Sequence, residues 1–276
     1  MFYNWCVAKV TVTLAVFTDP LLSSILRIDS MTHYLIEYRF QGRAKAEIRQ
    51  MISELDNRFH LGILKSKRAI PHISLAGPLT TNNEARLIKD FTALCKSTPF
   101  CSFNINGFEN FKDSRVVYIK IVPSPQLDKF RWDLSQKLAP YCTLRDFDYN
   151  RDFKFHATLA MKLDHQDFCS VKSFIERQNP PNFKQFLIRA TIIKNNKIMY
   201  EYDFLQRKLL NRSDALDRKI LAKTMKLLND FFKGKFDPDR IFDTRFTTEN
   251  HQKKTADKAN NLGIINRIKK IFGEFF

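Results

Sequence analysis

The chain has 276 residues, with 46 Lys and Arg against 29 Asp and Glu, which gives a formal charge of +17 at pH 7. Its length and its 44% hydrophobic content, including 26 Phe, exclude a largely disordered protein or a disulfide-stapled miniprotein. The five cysteines are scattered without a CxxC pair, so we expect a reduced, cytoplasmic protein without a structural zinc. The basic excess favours a polyanionic partner, although charge alone does not identify it.

Residues 1–30 precede the first predicted strand. The uncharged stretch from Val10 to Thr18 is too short to span a bilayer, lacks a basic segment before it and is followed by Pro20. We interpret 1–30 as an extension, or as sequence upstream of a start at Met31, and expect no stable membrane insertion. A signal anchor is the weaker alternative.

An internal repeat organises residues 31–205. Tyr34 and Tyr118 lie 84 residues apart, and so do His72 and His156, which occupy the segments IPHISLAG and KFHATLAM. We expect lobes of about 31–115 and 116–205, because the spacing indicates a duplicated unit.

Each unit predicts the order β-α-β-α-β-β. Its opening strand, at 34–40 or 116–122, is rich in β-branched and aromatic residues, and a segment with helical apolar spacing follows. The His-bearing strand, a second helix near 83–97 or 165–178 and an apolar hairpin complete the unit. Asn195-Asn196 predicts the tight turn of the second hairpin. The predicted fold class is α+β, with two pseudo-symmetric lobes around a central cleft.

Residues 206–276 are predicted to form a basic, mainly helical C-terminal extension, with 17 Lys and Arg against 9 Asp and Glu. Ser213 can cap a helix that reaches Phe232. A polar linker at 244–260 precedes a basic amphipathic helix at 262–276. This last helix can pack on the preceding domain, dock to RNA or another partner, or lie on an anionic membrane surface; packing is the preferred interpretation.

The two histidine strands place chemically useful side chains on one face each. Because side chains alternate along a strand, His72 and Ser74 point to the same side, as do His156 and Thr158. If the lobes are related by a two-fold axis, two imidazoles and two hydroxyls converge on one cleft.

These paired H-x-[ST] strands in a duplicated fold resemble the 2H phosphoesterase superfamily, in particular its 2'-5' RNA ligase and RNA 2',3'-cyclic phosphodiesterase branch. The resemblance covers about residues 31–205, with Ser74 where Thr is commoner. It implies an enzyme that acts on 2',3'-cyclic phosphate ends of tRNA or other RNA, without ATP, metal or another cofactor. It also implies that His156 activates the nucleophile and His72 protonates the leaving oxygen, although the residues alone leave these two roles open.

Near neutral pH one imidazole can accept a proton while the other donates one, and the Ser74 and Thr158 hydroxyls can hydrogen-bond to phosphate oxygens. Further residues are weaker candidates for phosphate binding, since each can equally be an ordinary surface or loop side chain: Arg68, Tyr118, Lys120, Arg151 and Lys154.

Metal ligation is not predicted, because the remaining histidines have neither a repeat partner nor H-x-x-x-H spacing: His33, His60, His165 and His251. Two alternatives to the cyclic phosphodiesterase or ligase remain open. One is a non-catalytic RNA-binding module with the same fold, and the other is a related enzyme that trims RNA 3' ends. The RNA substrate, the balance of hydrolysis and ligation, and the oligomeric state are not predicted.

Overall fold

The computed structural model describes residues 32–63 and 69–240. Its strands are β1 (His33–Arg39), β2 (His72–Thr80), β3 (Ser102–Phe111), β4 (Val116–Pro123), β5 (His156–Ala160), β6 (Asn182–Phe186), β7 (Arg189–Lys194), β8 (Lys197–Asp203) and β9 (Lys208–Asn211). Its α-helices are α1 (Gly42–Phe59), α2 (Glu84–Ser97), α3 (Pro125–Leu138), α4 (His165–Ile175), α5 (Arg212–Leu216) and α6 (Arg218–Phe232).

The strands form two antiparallel sheets. Sheet A has five strands in the order β2-β1-β7-β8-β9, and sheet B has four in the order β5-β4-β3-β6. The predicted α+β fold class is confirmed. The predicted turn at Asn195-Asn196 is also present, with both residues at positive φ (48° and 63°) between β7 and β8.

One face of each sheet is apolar and packs against helices. Ile73 and Leu75 of β2, and Ala157 and Leu159 of β5, are each at most 2% exposed. The amphipathic pattern of α1 explains its place in this core, since Ala44, Ile48, Ile52 and Leu55 face inward. The opposite face of each strand is therefore left for the polar residues that alternate with these apolar ones.

The two sheets do not follow the predicted lobe boundaries of 31–115 and 116–205. Strand β3 belongs to the first repeat but pairs with β4 in sheet B, and β7 from the second repeat pairs with β1 in sheet A. The short connection at 112–115 explains this exchange, because it joins β3 and β4 as a local antiparallel hairpin. Because β3 pairs with β4, the edge of β1 is free to pair with β7 from the second repeat.

The C-terminal region contains helices, as predicted, and two features that the sequence did not predict. Strand β9 lies beyond residue 205 and still pairs with β8, so sheet A extends across the predicted boundary. The helix predicted from Ser213 to Phe232 is divided into α5 and α6. Asp217 causes the break: its backbone is extended, and its carboxylate accepts the amide protons of Lys219 and Ile220 as the cap of α6.

None of the helices in the described part of the chain is long and apolar enough to cross a membrane. The predicted extension at 1–30, the linker at 244–260 and the amphipathic helix at 262–276 fall outside the described residues.

Candidate active site

The two histidines of the motifs occupy equivalent places in the two sheets. His72 is the first residue of β2 and His156 is the first residue of β5. The Nδ1 atom of His72 lies 2.9 Å from the carbonyl oxygen of Ile70, and that of His156 lies 2.8 Å from the carbonyl oxygen of Lys154. Because a carbonyl oxygen can only accept, Nδ1 donates in both rings. Each Nε2 atom is therefore left to exchange a proton with a substrate.

The hydroxyl residues follow each histidine by two positions on the same strand face. Ser74 and Thr158 are half-buried. Within residues 32–63 and 69–240, neither side chain makes a hydrogen bond to the protein. Both hydroxyls can therefore donate to an oxyanion bound beside the imidazoles.

On sheet A, β1 places an acidic and a basic residue next to the motif. Glu37 is paired with Ser74 across the strands, and Arg39 is paired with His72. The Glu37 carboxylate accepts a hydrogen bond of 2.5 Å from Arg39 Nε, and its other oxygen lies 3.8 Å from His72 Nε2. Its side chain is only 4% exposed. When His72 carries a proton, this carboxylate is its ion-pair partner.

On sheet B, β4 provides the corresponding positions with different chemistry. Tyr118 is paired with Thr158, and Lys120 is paired with His156. Both side chains donate to Glu109 of β3, Lys120 Nζ at 2.5 Å and the Tyr118 hydroxyl at 3.1 Å. The hydrogen bond from Lys120 is the main cause that lowers the pKa of Glu109. The Glu109 carboxylate therefore accepts hydrogen bonds from both Lys120 and Tyr118.

Aromatic rings surround His156. The ring of Phe111 meets the imidazole edge-on with centroids 5.1 Å apart, and the Tyr118 ring lies at the same distance. Burial lowers the pKa of His156, and the charge of His72 lowers it further, while the hydrogen bond to Lys154 opposes the change. Strands β2 and β5 contact each other, and the charge of His72 acts on His156, so the two imidazoles lie near one another.

The loop that leads into β5 is anchored by a buried ion pair. Arg131 and Asp148 are each 1% exposed at their side chains, with 3.3 Å between Nη2 and Oδ1. Asp148 Oδ2 also accepts the amide proton of Gly77 on β2 at 3.0 Å. Arg131 lies over the Phe153 ring, 3.9 Å from its centroid. These contacts connect α3, the loop before His156 and the strand that carries His72.

The auxiliary candidates from the sequence have different surroundings. Tyr118 and Lys120 lie beside the motif of sheet B, and Lys154 is close enough to Glu109 to lower its pKa. Arg151 is instead held against α3, where it pairs with Asp128 at 2.9 Å and lies over the Trp132 ring. Arg68 falls outside the described residues.

Sequence reasoning missed Glu37, Arg39, Glu109 and Phe111. For Glu37 a signal existed, because a carboxylate between Ile36 and Tyr38 interrupts an otherwise apolar, strand-like segment. The 84-residue offset between the two histidines concealed the fact that Glu37 and Tyr118 occupy equivalent positions. It holds for His72 and His156, whereas the strand pairing places Tyr118 opposite Thr158 as it places Glu37 opposite Ser74, an offset of 81 residues.

A family model described as the 2'-5' RNA ligase superfamily matches residues 42–190, which is more than half of the chain. The chain belongs to this superfamily of 2H phosphoesterases. Both H-x-[ST] strands lie within the matched region. No curated protein gives a significant match.

Solved structures of 2H phosphoesterases are similar to this chain. Escherichia coli LigT complexed with 3'-AMP is 16% identical, with a TM-score of 0.38, over 66% of this chain and 94% of LigT. Kluyveromyces marxianus Usb1 is 9% identical, with a TM-score of 0.38, over 60% of this chain and 96% of Usb1. Among the residues that the structure describes, no three His, Cys, Asp or Glu side chains are grouped so that they could hold a metal ion.

Proposed function

We propose that this protein is an RNA-end phosphoesterase that acts on 2',3'-cyclic phosphate termini by two-histidine acid/base catalysis. One observation carries the proposal. His72 and His156 lie at equivalent strand positions, each donates Nδ1–H to a carbonyl oxygen and each is followed by a hydroxyl residue two positions on. The family, shown by residues 42–190, supports RNA as the substrate class.

The reaction we propose is an in-line displacement at phosphorus. Water attacks the cyclic phosphate and gives its proton to Nε2 of the neutral His156, while the bond from phosphorus to the 2' or 3' oxygen breaks. Protonated His72 donates its proton to that leaving oxygen, and the product is a terminal phosphomonoester. Ser74 and Thr158 donate hydrogen bonds to the non-bridging oxygens, where negative charge accumulates.

The environments of the two rings support this assignment of roles. The burial that lowers the pKa of His156 favours its neutral form, which a general base requires. Glu37 provides a counter-ion for a protonated His72. In ligation a 5'-hydroxyl takes the place of water, and loss of the 3' oxygen then leaves a 2'-5' phosphodiester.

Candidates for further phosphate contacts are Lys120 and Lys154. We also propose a cytoplasmic location and tRNA or another RNA with a cyclic phosphate end as substrate. Cysteine usage and net charge support the location and an RNA substrate, respectively.

The test uses the full chain and end-labelled RNA with a 2',3'-cyclic phosphate, in the presence of EDTA, with opening and joining measured together. We expect His72→Ala and His156→Ala each to reduce the rate by about 10²- to 10⁴-fold, the usual contribution of a general acid or base. His33→Ala is the matched control, since His33 is exposed on sheet A at the start of β1.

Circular dichroism would verify that the variants are folded. Retention of activity by either variant, or its loss in EDTA, contradicts the two-histidine mechanism. Tight, salt-sensitive RNA binding without any conversion of the RNA end would instead support the non-catalytic RNA-binding module.

A further inference from the structure

Helix α6 lies on the same face of sheet A as His72. Paired residues of neighbouring antiparallel strands point to the same side, so the face can be followed from strand to strand. Ser74 pairs with Glu37, Glu37 with Thr191, and Thr191 with Glu201. Alternation along β7 and β8 then places Arg189 and Asp203 on this same face.

Helix α6 covers the far end of that face. The Thr224 hydroxyl donates to Asp203 Oδ2 at 2.5 Å, and Arg189 Nη2 donates to Thr224 Oγ1 at 2.8 Å. Arg189 also lies 3.7 Å from Glu201. Thr191 is paired with Glu201 on one side and with Glu37 on the other, so this polar network reaches the candidate active site. The helix therefore forms a wall on the active-site side of sheet A.

The apolar side of α6 is packed against the rest of the domain. Leu228 is 4% exposed and packs with Ile188 and Leu205. Phe231 meets the Phe100 ring edge-on at 5.2 Å, and Phe232 packs against Phe186 at 5.4 Å between centroids. A helix that lies in a membrane surface needs its apolar side free for the acyl chains, so this geometry disfavours a lipid partner.

The outward side of α6 carries a row of lysines. Lys219, Lys223 and Lys226 are exposed and, at intervals of four and three residues, share one helix face opposite the buried Leu228. Among the described residues none of the three forms an ion pair. The acidic residues Asp217 and Asp230 lie at the two ends of the helix, so the middle of this face is basic throughout.

We propose that this lysine row (Lys219, Lys223 and Lys226) binds phosphates of the RNA strand that leads to the reacting end. The inference rests on the proposed function and adds that substrates longer than the terminal nucleotides are preferred. Within the described ranges, the lysine row has no exposed aromatic side chain beside it. Protein interfaces are rich in aromatic residues and depleted of charge at their centre, whereas a phosphate backbone is bound mainly by cations, so the row fits a phosphate backbone better than a protein surface. The row lies beyond residue 190, where the family match ends.

The experiment compares two substrates that share the same 3' sequence and cyclic phosphate, a dinucleotide and a 12-mer. In the full chain the three lysines are replaced together as Lys219→Gln, Lys223→Gln and Lys226→Gln. We expect kcat/KM for the 12-mer to fall about 10-fold or more at low salt, with that for the dinucleotide unchanged. The slope of log(kcat/KM) for the 12-mer against log salt should become shallower by about 2, since a single-strand phosphate contact contributes about 0.7.

A control variant removes the same charge elsewhere, with Lys89→Gln and Lys96→Gln on α2 and Lys137→Gln on α3. These lysines are exposed, and Lys137 lies 4.0 Å from Asp90 of α2, so the three belong to one helical surface. We expect this variant to keep the length preference of the wild type. Equal losses with both substrates, or equal losses in both triple variants, would overturn the proposal.

Direct binding separates this proposal from the proposed function. If no RNA end is converted, the Kd of the 12-mer by fluorescence anisotropy still tests the row, and a ratio of one between variant and wild type would refute it. Flotation with anionic vesicles tests the alternative partner. Loss of vesicle binding with unchanged 12-mer affinity would assign the row to a membrane and overturn the RNA assignment.

Discussion

The two halves of the candidate active site have the same backbone and different neighbours. We call His72, Ser74, Glu37 and Arg39 the sheet A half-site, and His156, Thr158, Tyr118 and Lys120 the sheet B half-site. In both, the histidine opens a strand and hydrogen-bonds the carbonyl two residues before it. The residue opposite the hydroxyl is a buried carboxylate in sheet A and a tyrosine in sheet B.

This difference separates the features that the two repeat units share from those that distinguish them. Two equivalent imidazoles alone would be interchangeable, whereas acid/base catalysis requires one to donate a proton and the other to accept it. The surrounding side chains create the asymmetry, because Glu37 can neutralise a charged His72 while burial lowers the pKa of His156 and favours its neutral form. The variants below test how independent the two half-sites are.

The largest effect is expected where the two half-sites are tied together. Asp148→Ala removes the carboxylate that bonds both Arg131 and the amide of Gly77. It leaves the Arg131 guanidinium buried without its ion-pair partner, which typically costs about 3–5 kcal/mol of unfolding free energy. Urea denaturation measures this loss.

Asp128→Ala is the matched control for Asp148→Ala. Asp128 pairs with Arg151, but the side chains are 33% and 53% exposed, so we expect a loss of about 1 kcal/mol or less. Equal losses of stability in the two variants would show that the buried pair has no special role between the half-sites.

Glu37→Gln makes the sheet A half-site resemble its counterpart, since it keeps the shape of the side chain and removes its charge. We expect kcat to fall about 10-fold, which corresponds to about 1.4 kcal/mol of stabilisation of a charged donor. KM should change little, because Glu37 is buried and its carboxylate faces Arg39 and His72. Steady-state kinetics on cyclic-phosphate RNA measures both constants.

Tyr118→Phe is the comparison for Glu37→Gln at the equivalent position of sheet B. It removes the hydrogen bond to Glu109 without removing a charge. We expect a smaller loss of kcat than in Glu37→Gln. Unchanged kcat in Glu37→Gln would contradict a role for its carboxylate in proton donation.

The smallest effect concerns the pH dependence set by the sheet B half-site. Burial lowers the pKa of His156, and Phe111→Leu should admit water to the ring, so that the pKa rises towards its ordinary value of 6.5. A general base must be unprotonated. The acid limb of log(kcat/KM) against pH should therefore move to higher pH, on the order of half a unit.

Phe183→Leu provides the control, because Phe183 lies on β6 at the edge of sheet B farthest from β5. The acid limb of log(kcat/KM) against pH for Phe183→Leu should coincide with that of the wild type. A shift to lower pH in Phe111→Leu would show that the ring does not act by excluding water.

Local patterns predicted the individual elements well. The apolar spacing of α1, the alternation around His72 and His156 and the Asn195-Asn196 turn all depend on residues close together in the chain, and each is present in the structure. The break at Asp217 was missed, because a capping aspartate inside a helical pattern is also compatible with an unbroken helix. The surroundings of Arg151 were not predictable, since its partners lie on α3.

The sequence by itself determined the duplication, the strand character of both motifs and the pairing of each histidine with a hydroxyl on one face, because these follow from spacing along a single segment. Only the tertiary structure decided that β3 and β7 exchange sheets, that Glu37 approaches His72 while Phe111 approaches His156, and that α6 lies along the active-site face of sheet A. These outcomes depend on strand register and on packing between distant segments. A one-residue change in register would reverse every face, so periodicity within a segment cannot determine them.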